Sequence, residues 1–520
     1  MDTANTTENY DENASEASPI LQSSLETIDT IVPRKPSPKK TRRIIWFLYA
    51  FAFSMMLGDN LQPAALIQIF ETVICDDYYE TQPLPLSSNI ISLTSLPADH
   101  CNVQPVQREL ALVRGFQQLV PLIPALLCTM PYGMLAQRIG RKPVLILSGT
   151  GVFAALSWVM AVCYWRFASI RWVLLSGAFL FIGGGDAVTS SLVHIMVTDT
   201  ADESERAQIF LNLHAADVLS GFFGPAISAP LMEKGYTWSV LLLSQLMLLS
   251  GTFFITQFIP ETLHLRNESS ARSDSMVNPA TPRETSSSSR RLAEMPKYFL
   301  LRVSSLLLAF LKLVTSSRQA LRLLVIFAPQ TAAQELFTVI GLQYSKAKFS
   351  LPYARRNVVL SLFQGAQGLV VLVLFPIITR TIANPRGRTA WSRDRRYAII
   401  SIAAMAFGLI VIGLAPGLVV EAAGLLLVAL GSYTTGLLMS LLGGAVRPSQ
   451  VSTFYSTALT LSMVARSITG PVLSALLVKG LELSRKWMGL PFVVMATLMA
   501  CVTVASIFIN KEKVKGVNEQ

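Results

Sequence analysis

The sequence predicts an all-α integral membrane protein: twelve transmembrane helices in two six-helix bundles, with both termini cytoplasmic. Three observations predict it. Hydrophobic residues make up 52% of the chain and charged residues 14%, whereas a soluble domain carries about 25% charged residues. So few charges cannot cover a globule of 520 residues, and a bilayer removes the need. Apolar runs of about 20 residues, the length that crosses a bilayer, recur along the chain. Lys and Arg fall in short clusters between them, as in cytoplasmic loops. The net charge of +11 is therefore not a nucleic-acid face, because no basic surface interleaved with aromatics exists outside those loops.

Residues 1–42, rich in Ser, Thr, Asn, Glu and Pro, read as a disordered cytoplasmic tail that ends in basic residues. With no cleavable signal peptide in view, insertion falls to the first helix. The N-terminal bundle occupies 43–259, with α1 near 44–69, α2 near 112–136, α3 near 143–164, α4 near 172–196, α5 near 207–231 and α6 near 238–259. A cytoplasmic linker, 260–320, carries the Ser-rich run NESSARSDSMVNPATPRETSSSSRR, which has no core to join. Within it, YFLLRVSSLLLAFLKLV (298–314) repeats Arg302, Ser305 and Lys312 on one helical face and reads as an interfacial helix. The alternative is a thirteenth span, which moves the 510–520 tail outside. The C-terminal bundle fills 321–509, with α7 near 321–343, α8 near 357–379, α9 near 397–415, α10 near 418–445, α11 near 452–477 and α12 near 488–509.

Orientation follows the basic residues. The N-terminal tail, Arg138/Arg141/Lys142 and the 380–396 loop lie on one side. The first loop on the other side holds Glu71, Asp76, Asp77, Glu80, Asp99 and Glu109 against Arg108. Lys346, Lys348, Arg355 and Arg356 oppose the rule from the outer side.

The turn between α2 and α3 reads GMLAQRIGRK. Gly133 and Gly140 permit close approach and a tight turn, while Arg138, Arg141 and Lys142 cannot enter lipid. These residues resemble the loop signature of the major facilitator superfamily, with Gln137 where the family has Asp. The resemblance implies that this acid meets a helix N-terminus in the opposite half and helps to close a cytoplasmic gate. Such a contact is worth about 0.3–1 kcal/mol, or about 2 when partly buried; Gln137 brings no charge, which implies a looser gate. Asp199, ending α4, and Arg206, opening α5, resemble the companion charges, and Arg141 can pair with Asp199. PET, Pro260 to Thr262, closes α6 as in the family. GFFGPAISAP in α5, with Gly221, Gly224 and Pro225, is similar to a loose antiporter signature, although small residues and proline also serve plain packing. FETVICDDYY, CNVQPVQRELA, FIGGGDAV and LQYSKAKF resemble a fungal branch whose members often accompany secondary-metabolite pathways. The resemblance spans about 43–510 and implies the major facilitator fold, with α1, α4, α7 and α10 around a central cavity.

Charge inside a span costs at least about 2.5–3.5 kcal/mol, so it is paired or functional. Asp59 in α1, Asp186 in α4 and Glu335 in α7 put a carboxylate on each of three cavity helices. A carboxyl group in apolar surroundings takes up a proton more readily than one in water, which is the minimum chemistry of proton coupling. Glu335 and Asp186 are the leading candidates; a structural ion-pair role is the alternative for each, above all for Asp59 beside Asn60 and Pro63. Arg466 in α11 can neutralise one of them or hold an anionic substrate. His214 and Asp217 share one face of α5, as a proton relay or as packing. Arg114, Gln117 and Gln118 in α2 read as outer-gate polar residues.

Cys75 and Cys101 bracket the first outer loop, either as a disulfide on the oxidising side or as two free thiols. The expected function is a secondary active transporter of a small organic molecule, working by alternating access as proton-coupled efflux (antiport) of a metabolite or toxin. Proton-coupled uptake of a nutrient is the alternative, and a non-transporting sensor of the same fold comes from another class. No cofactor, metal site, phosphate-binding loop or enzymatic constellation is expected. The expected partners are a small-molecule substrate, protons and membrane lipid, with no nucleic acid, around a monomer. The plasma membrane is the expected location and the vacuolar membrane the alternative.

Overall fold

The computed structural model describes residues 38–81, 100–201, 203–263, 318–374, 376–378, 390–446, 451–484 and 487–509. The 298–314 run, the Ser-rich linker, the C-terminal tail and most of the 380–396 loop lie outside the described residues. Among the described residues, eleven helices are long and apolar enough to cross a membrane.

Helix α1 runs Pro38–Thr81, well past residue 69. It continues because Phe70, Val73, Ile74 and Cys75 are buried against neighbouring helices. Helix α2 starts early and is divided, Gln104–Leu119 and Leu122–Ala136. Pro121 lies at the break, where its ring and missing N–H interrupt the ladder. Helix α3 is Arg141–Trp165.

The expected single helix α4 over 172–196 is corrected. The chain forms a 3₁₀ turn Ile170–Leu175, a short helix Ser176–Phe179, and then a helix Gly185–Thr200. Gly183, Gly184 and Gly185 between them have φ of +84°, +84° and +63°, a backbone that L side chains rarely adopt. Asp186 therefore stands in the first turn of a helix, not at the centre of one.

Helix α5 is Glu203–Glu233, and α6 is Thr237–Leu249 continued through a π turn, Ser250–Ile255, to Phe258. Helix α7 joins Arg318–Leu336 to Leu342–Phe349 through a second π turn, Phe337–Gly341. Helix α8 is Tyr353–Leu369, α9 is Ala390–Leu414, α10 is Leu418–Leu430 plus Thr434–Ala445, α11 is Val451–Leu483 and α12 is Leu490–Ile507.

The N-terminal half (α1–α6) and the C-terminal half (α7–α12) meet along two seams. In one, α2 lies on α11: a Cβ on Gly115 would come 2.6 Å from Ser474 Oγ. In the other, α5 lies on α8, with Gly365 against Phe222 and Gly368 against Val218. Small residues let the backbones approach, which is how helices pack where the hydrophobic effect cannot drive them together. Away from the seams, Leu242, Phe254, Leu362, Ile400 and Val419 are exposed, an apolar exterior suited to lipid.

Candidate functional site

Two neighbouring cavities lie between the halves, and Glu335 lines both. One, about 300 Å³, is bounded by Gln118, Pro121, Asp186, Glu335, Met463 and Arg466. The other, about 270 Å³, is bounded by Asn60, His214, Asp217, Gln334, Glu335 and Gln367. Arg466 Nη1 donates to Glu335 Oε1 at 2.7 Å, with each side chain nearly half exposed to the cavity. Glu335 stands two residues before the π turn of α7; such turns are frequent at functional sites.

Asp217 interacts electrostatically with His214, Glu335 and Arg466, and His214 Nδ1 lies 4.0 Å from Asp217 Oδ2. That separation is too long for a hydrogen bond and makes an ion pair only when His214 is protonated. Asp59 is not a lining residue, but it interacts with Asp186 and Asp217 and accepts from Gln62 Nε2 at 3.3 Å. The glycine break in α4 gives Asp186 the start of a helix, where the backbone dipole favours negative charge. Five of the six candidates thus line one or other of these cavities, and Asp59 lies outside both. The choice left open for Arg466 falls on Glu335.

At one end of these cavities, Cys75 and Cys101 are joined, with Sγ–Sγ 2.05 Å. Near them Lys346 of α7 donates to Glu71 of α1, and both side chains are buried. Gln107 Nε2 donates to the same carboxylate, Tyr353 Oη donates to Glu71 Oε1 at 3.4 Å, and Gln343 Nε2 donates to the Gln107 carbonyl at 2.8 Å. Charge counting placed Glu71 and Lys346 in loops, and here they are corrected. The signal for this was the single charge of IFETVI and the two of QYSKAKF, set among apolar and aromatic residues.

The other three bases that oppose the charge rule are paired too. Arg356 Nη1 donates to Glu421 Oε2 at 2.8 Å, Lys348 Nζ donates to Tyr344 Oη at 2.7 Å, and Arg355 lies 3.8 Å from Glu233 on the surface. Of these, Arg356 is buried with its acid, which lowers its weight as a loop charge, whereas the Arg355 pair stays in the open. Arg114 is buried as well and donates to Gln117 Oε1 at 2.7 Å.

At the opposite end, Arg141 is fully buried and its Nε donates to Asp199 Oδ2 at 3.3 Å. Among the described residues, its Nη1 and Nη2 meet no hydrogen-bond partner. The carboxylate of Glu261, from PET, accepts the backbone N–H of Arg141 at 2.8 Å and of Lys142 at 3.1 Å, capping α3. Sequence reasoning quoted PET only as a helix end and missed this role. Burial pushes the Glu261 carboxyl up, but hydrogen bonds from the backbone of Arg141, Leu263, Lys142 and Thr262 outweigh it and hold the group below its ordinary value. Gly140 supplies the turn with φ +108°, and a Cβ there would meet Glu261 Oε2 at 2.3 Å. Gln137 and Arg138 are exposed, while a Cβ on Gly133 would meet nothing within 4 Å. Arg206 lies in α5, but its side chain falls outside the described residues.

The α5 motif faces two neighbours. A Cβ on Gly224 would come 2.7 Å from the Asn60 backbone, whereas Gly221 faces Gln364 of α8. The Pro225 carbonyl accepts from Asn357 Nδ2 at 3.3 Å. Hydrogen bonds from Lys346, Gln343, Asn357 and Ser361 join the halves toward the disulfide end.

The family model described as Major Facilitator Superfamily matches residues 111–468. The chain is 25% identical over 486 residues to an MFS efflux pump, atnC, of Emericella nidulans, covering 92% of this chain and 89% of the relative. It is 26% identical over 432 residues to an efflux pump, ustT, of Aspergillus flavus, covering 81% and 79%. Among solved structures, a peptide transporter POT bound to alafosfalin superposes with TM-score 0.59 at 14% identity, covering 89% of this chain and 93% of that one. The human organic anion transporter MFSD10 superposes with TM-score 0.52 at 16% identity, covering 90% and 99%.

Proposed function

The chain belongs to the Major Facilitator Superfamily, and on that premise we propose that it is a secondary active transporter exporting a small organic molecule in exchange for protons. The observation that carries the proposal is the Arg466–Glu335 pair, which stands on the wall of a cavity lined by residues of both halves. Ionised, Glu335 can turn from Arg466 to hold a donor or cationic group of the substrate. A proton taken up by Glu335 removes that charge and releases the group, so proton and substrate compete for one carboxylate, as exchange requires. Asp186, on the facing half, and Asp217, with His214 beside it, extend the proton-accepting surface across the seam.

Two relatives named as efflux pumps support export over uptake. In this reading the chain crosses the membrane twelve times, α4 crossing in spite of its break. Both termini and the Arg141 end are cytoplasmic. The Arg141–Asp199–Glu261 cluster braces the cytoplasmic end of the N-terminal half and serves as its gate. The transporter acts as a monomer in the plasma membrane.

Everted vesicles test direction: acidifying their interior should drive accumulation of a fluorescent probe such as ethidium or rhodamine 6G, and a protonophore should abolish it. Accumulation driven only by an outward-acidic gradient would reverse the assignment to uptake.

A further inference from the structure

We infer that the Glu71–Lys346 pair is the latch that closes the cavity at the disulfide end, with Gln107 as its positioning residue; the inference rests on the alternating-access reading above. Among the described residues three ion pairs are buried on both sides: Arg141–Asp199, Arg356–Glu421 and Lys346–Glu71. The first two each stay within one half. Lys346–Glu71 alone crosses between halves. The other cross-half pairs, Arg108–Glu482 and Arg355–Glu233, are largely exposed.

A buried ion pair is a poor permanent fastener. Desolvating two charges offsets most of their attraction, and apolar side chains of equal volume hold a static interface as well or better. What distinguishes the pair is that both members are stable in water once parted. Apolar surface uncovered by the same movement is penalised in proportion to its area. Other contacts across the seam also use groups that water can satisfy. Asn357 Nδ2 donates to the Pro225 carbonyl at 3.3 Å, and Ser361 Oγ to the Phe222 carbonyl at 2.9 Å.

The N-terminal side of the latch is preassembled. Gln107 Nε2 reaches both Glu71 and, at 3.3 Å, the Cys101 carbonyl. Cys101 is bonded to Cys75, one helical turn beyond Glu71. The C-terminal half supplies Lys346, whose ammonium also lies 4.5 Å from the Tyr353 ring centroid, and Gln343. Parting the halves breaks the bonds of Lys346, Tyr353 and Gln343 to this unit and leaves Glu71, Gln107 and the disulfide together.

The test reads the seam directly, without substrate or pH gradient. Ser474 is buried and packs on Gly115 across the halves. Full-length protein carrying Ser474→Cys, with Cys128, Cys163 and Cys501 replaced by alanine, is placed in nanodiscs and labelled with a hydrophilic maleimide. Glu71→Gln and Lys346→Gln should each label at least roughly tenfold faster than the parent. Gln107→Ala, which leaves both charges in place, should accelerate labelling less but in the same direction. Folded charge variants that label at the parental rate overturn the latch. If neither charge variant folds, Gln107→Ala decides, and a parental rate overturns it. Altered labelling in a protein that moves no protons would leave the latch standing and reject only the exchange.

Discussion

Gly140 lies directly beneath the carboxylate of Glu261: a Cβ at this glycine would come 2.3 Å from Oε2, in a backbone with φ +108°. The smallest residue of the turn is thus the one that admits the acid capping α3. Gly140→Ala should destabilise the protein by about 1–3 kcal/mol, the range for a side chain forced into a rare backbone conformation. Glu261→Ala, which removes a cap, should cost about 0.5–2 kcal/mol. Melting temperatures of purified protein check both, and an unchanged value for Gly140→Ala would contradict the contact.

The same carboxylate gives a pH signature. Its backbone hydrogen bonds hold it below its ordinary value of 4.5. A group whose folded pKa is lowered adds stability that is fully present above the unfolded pKa and is lost as pH falls through the folded one. The melting-temperature gap between wild type and Glu261→Gln should therefore be flat at neutral pH and close progressively below about pH 4.5. A gap that widens on acidification contradicts this sign.

Cys75 and Cys101 close a loop of sequence separation 26. Replacing both with serine should remove about 3 kcal/mol of stability, and reductant should lower the wild-type melting temperature but leave the double variant unchanged. Reductant acting equally on both would place the effect elsewhere.

The Arg466–Glu335 pair separates stability from function. Both side chains are close to half exposed, so Glu335→Gln or Arg466→Gln should change stability by under about 1 kcal/mol. Probe-driven proton movement should nevertheless fall at least roughly tenfold. A large loss of stability with transport retained would assign the pair to structure.

The apolar stretches and the QRIGRK turn were legible because run length and loop charge are local properties. Asp186, Glu335 and Arg466 were legible because a charge inside an apolar run stands out. The break in α4 was written in Gly183-Gly184-Gly185 but was read as part of an apolar run, although glycine costs a helix about 1 kcal/mol per residue. Lys346 and Glu71 escaped because their partnership spans 275 residues, and charge counting had assigned each to a loop. Gln137 directed attention to a missing acid, while Glu261, far along the chain, already held the N-terminus of α3. Pairings such as these depend on how helices from distant segments pack, which no local pattern encodes.

The central claim is that cavity carboxylates exchange protons for an organic substrate. Its most direct test is internal pH in sealed proteoliposomes under an imposed pH gradient, with ethidium, rhodamine 6G and fluorescein added in turn. Wild type, Glu335→Gln and Asp186→Asn are compared. The account predicts probe-dependent proton movement opposite to the probe in wild type, abolished or reduced at least roughly tenfold in one or both variants. Proton movement of undiminished size in both variants, or probe transport with no proton movement, would contradict it.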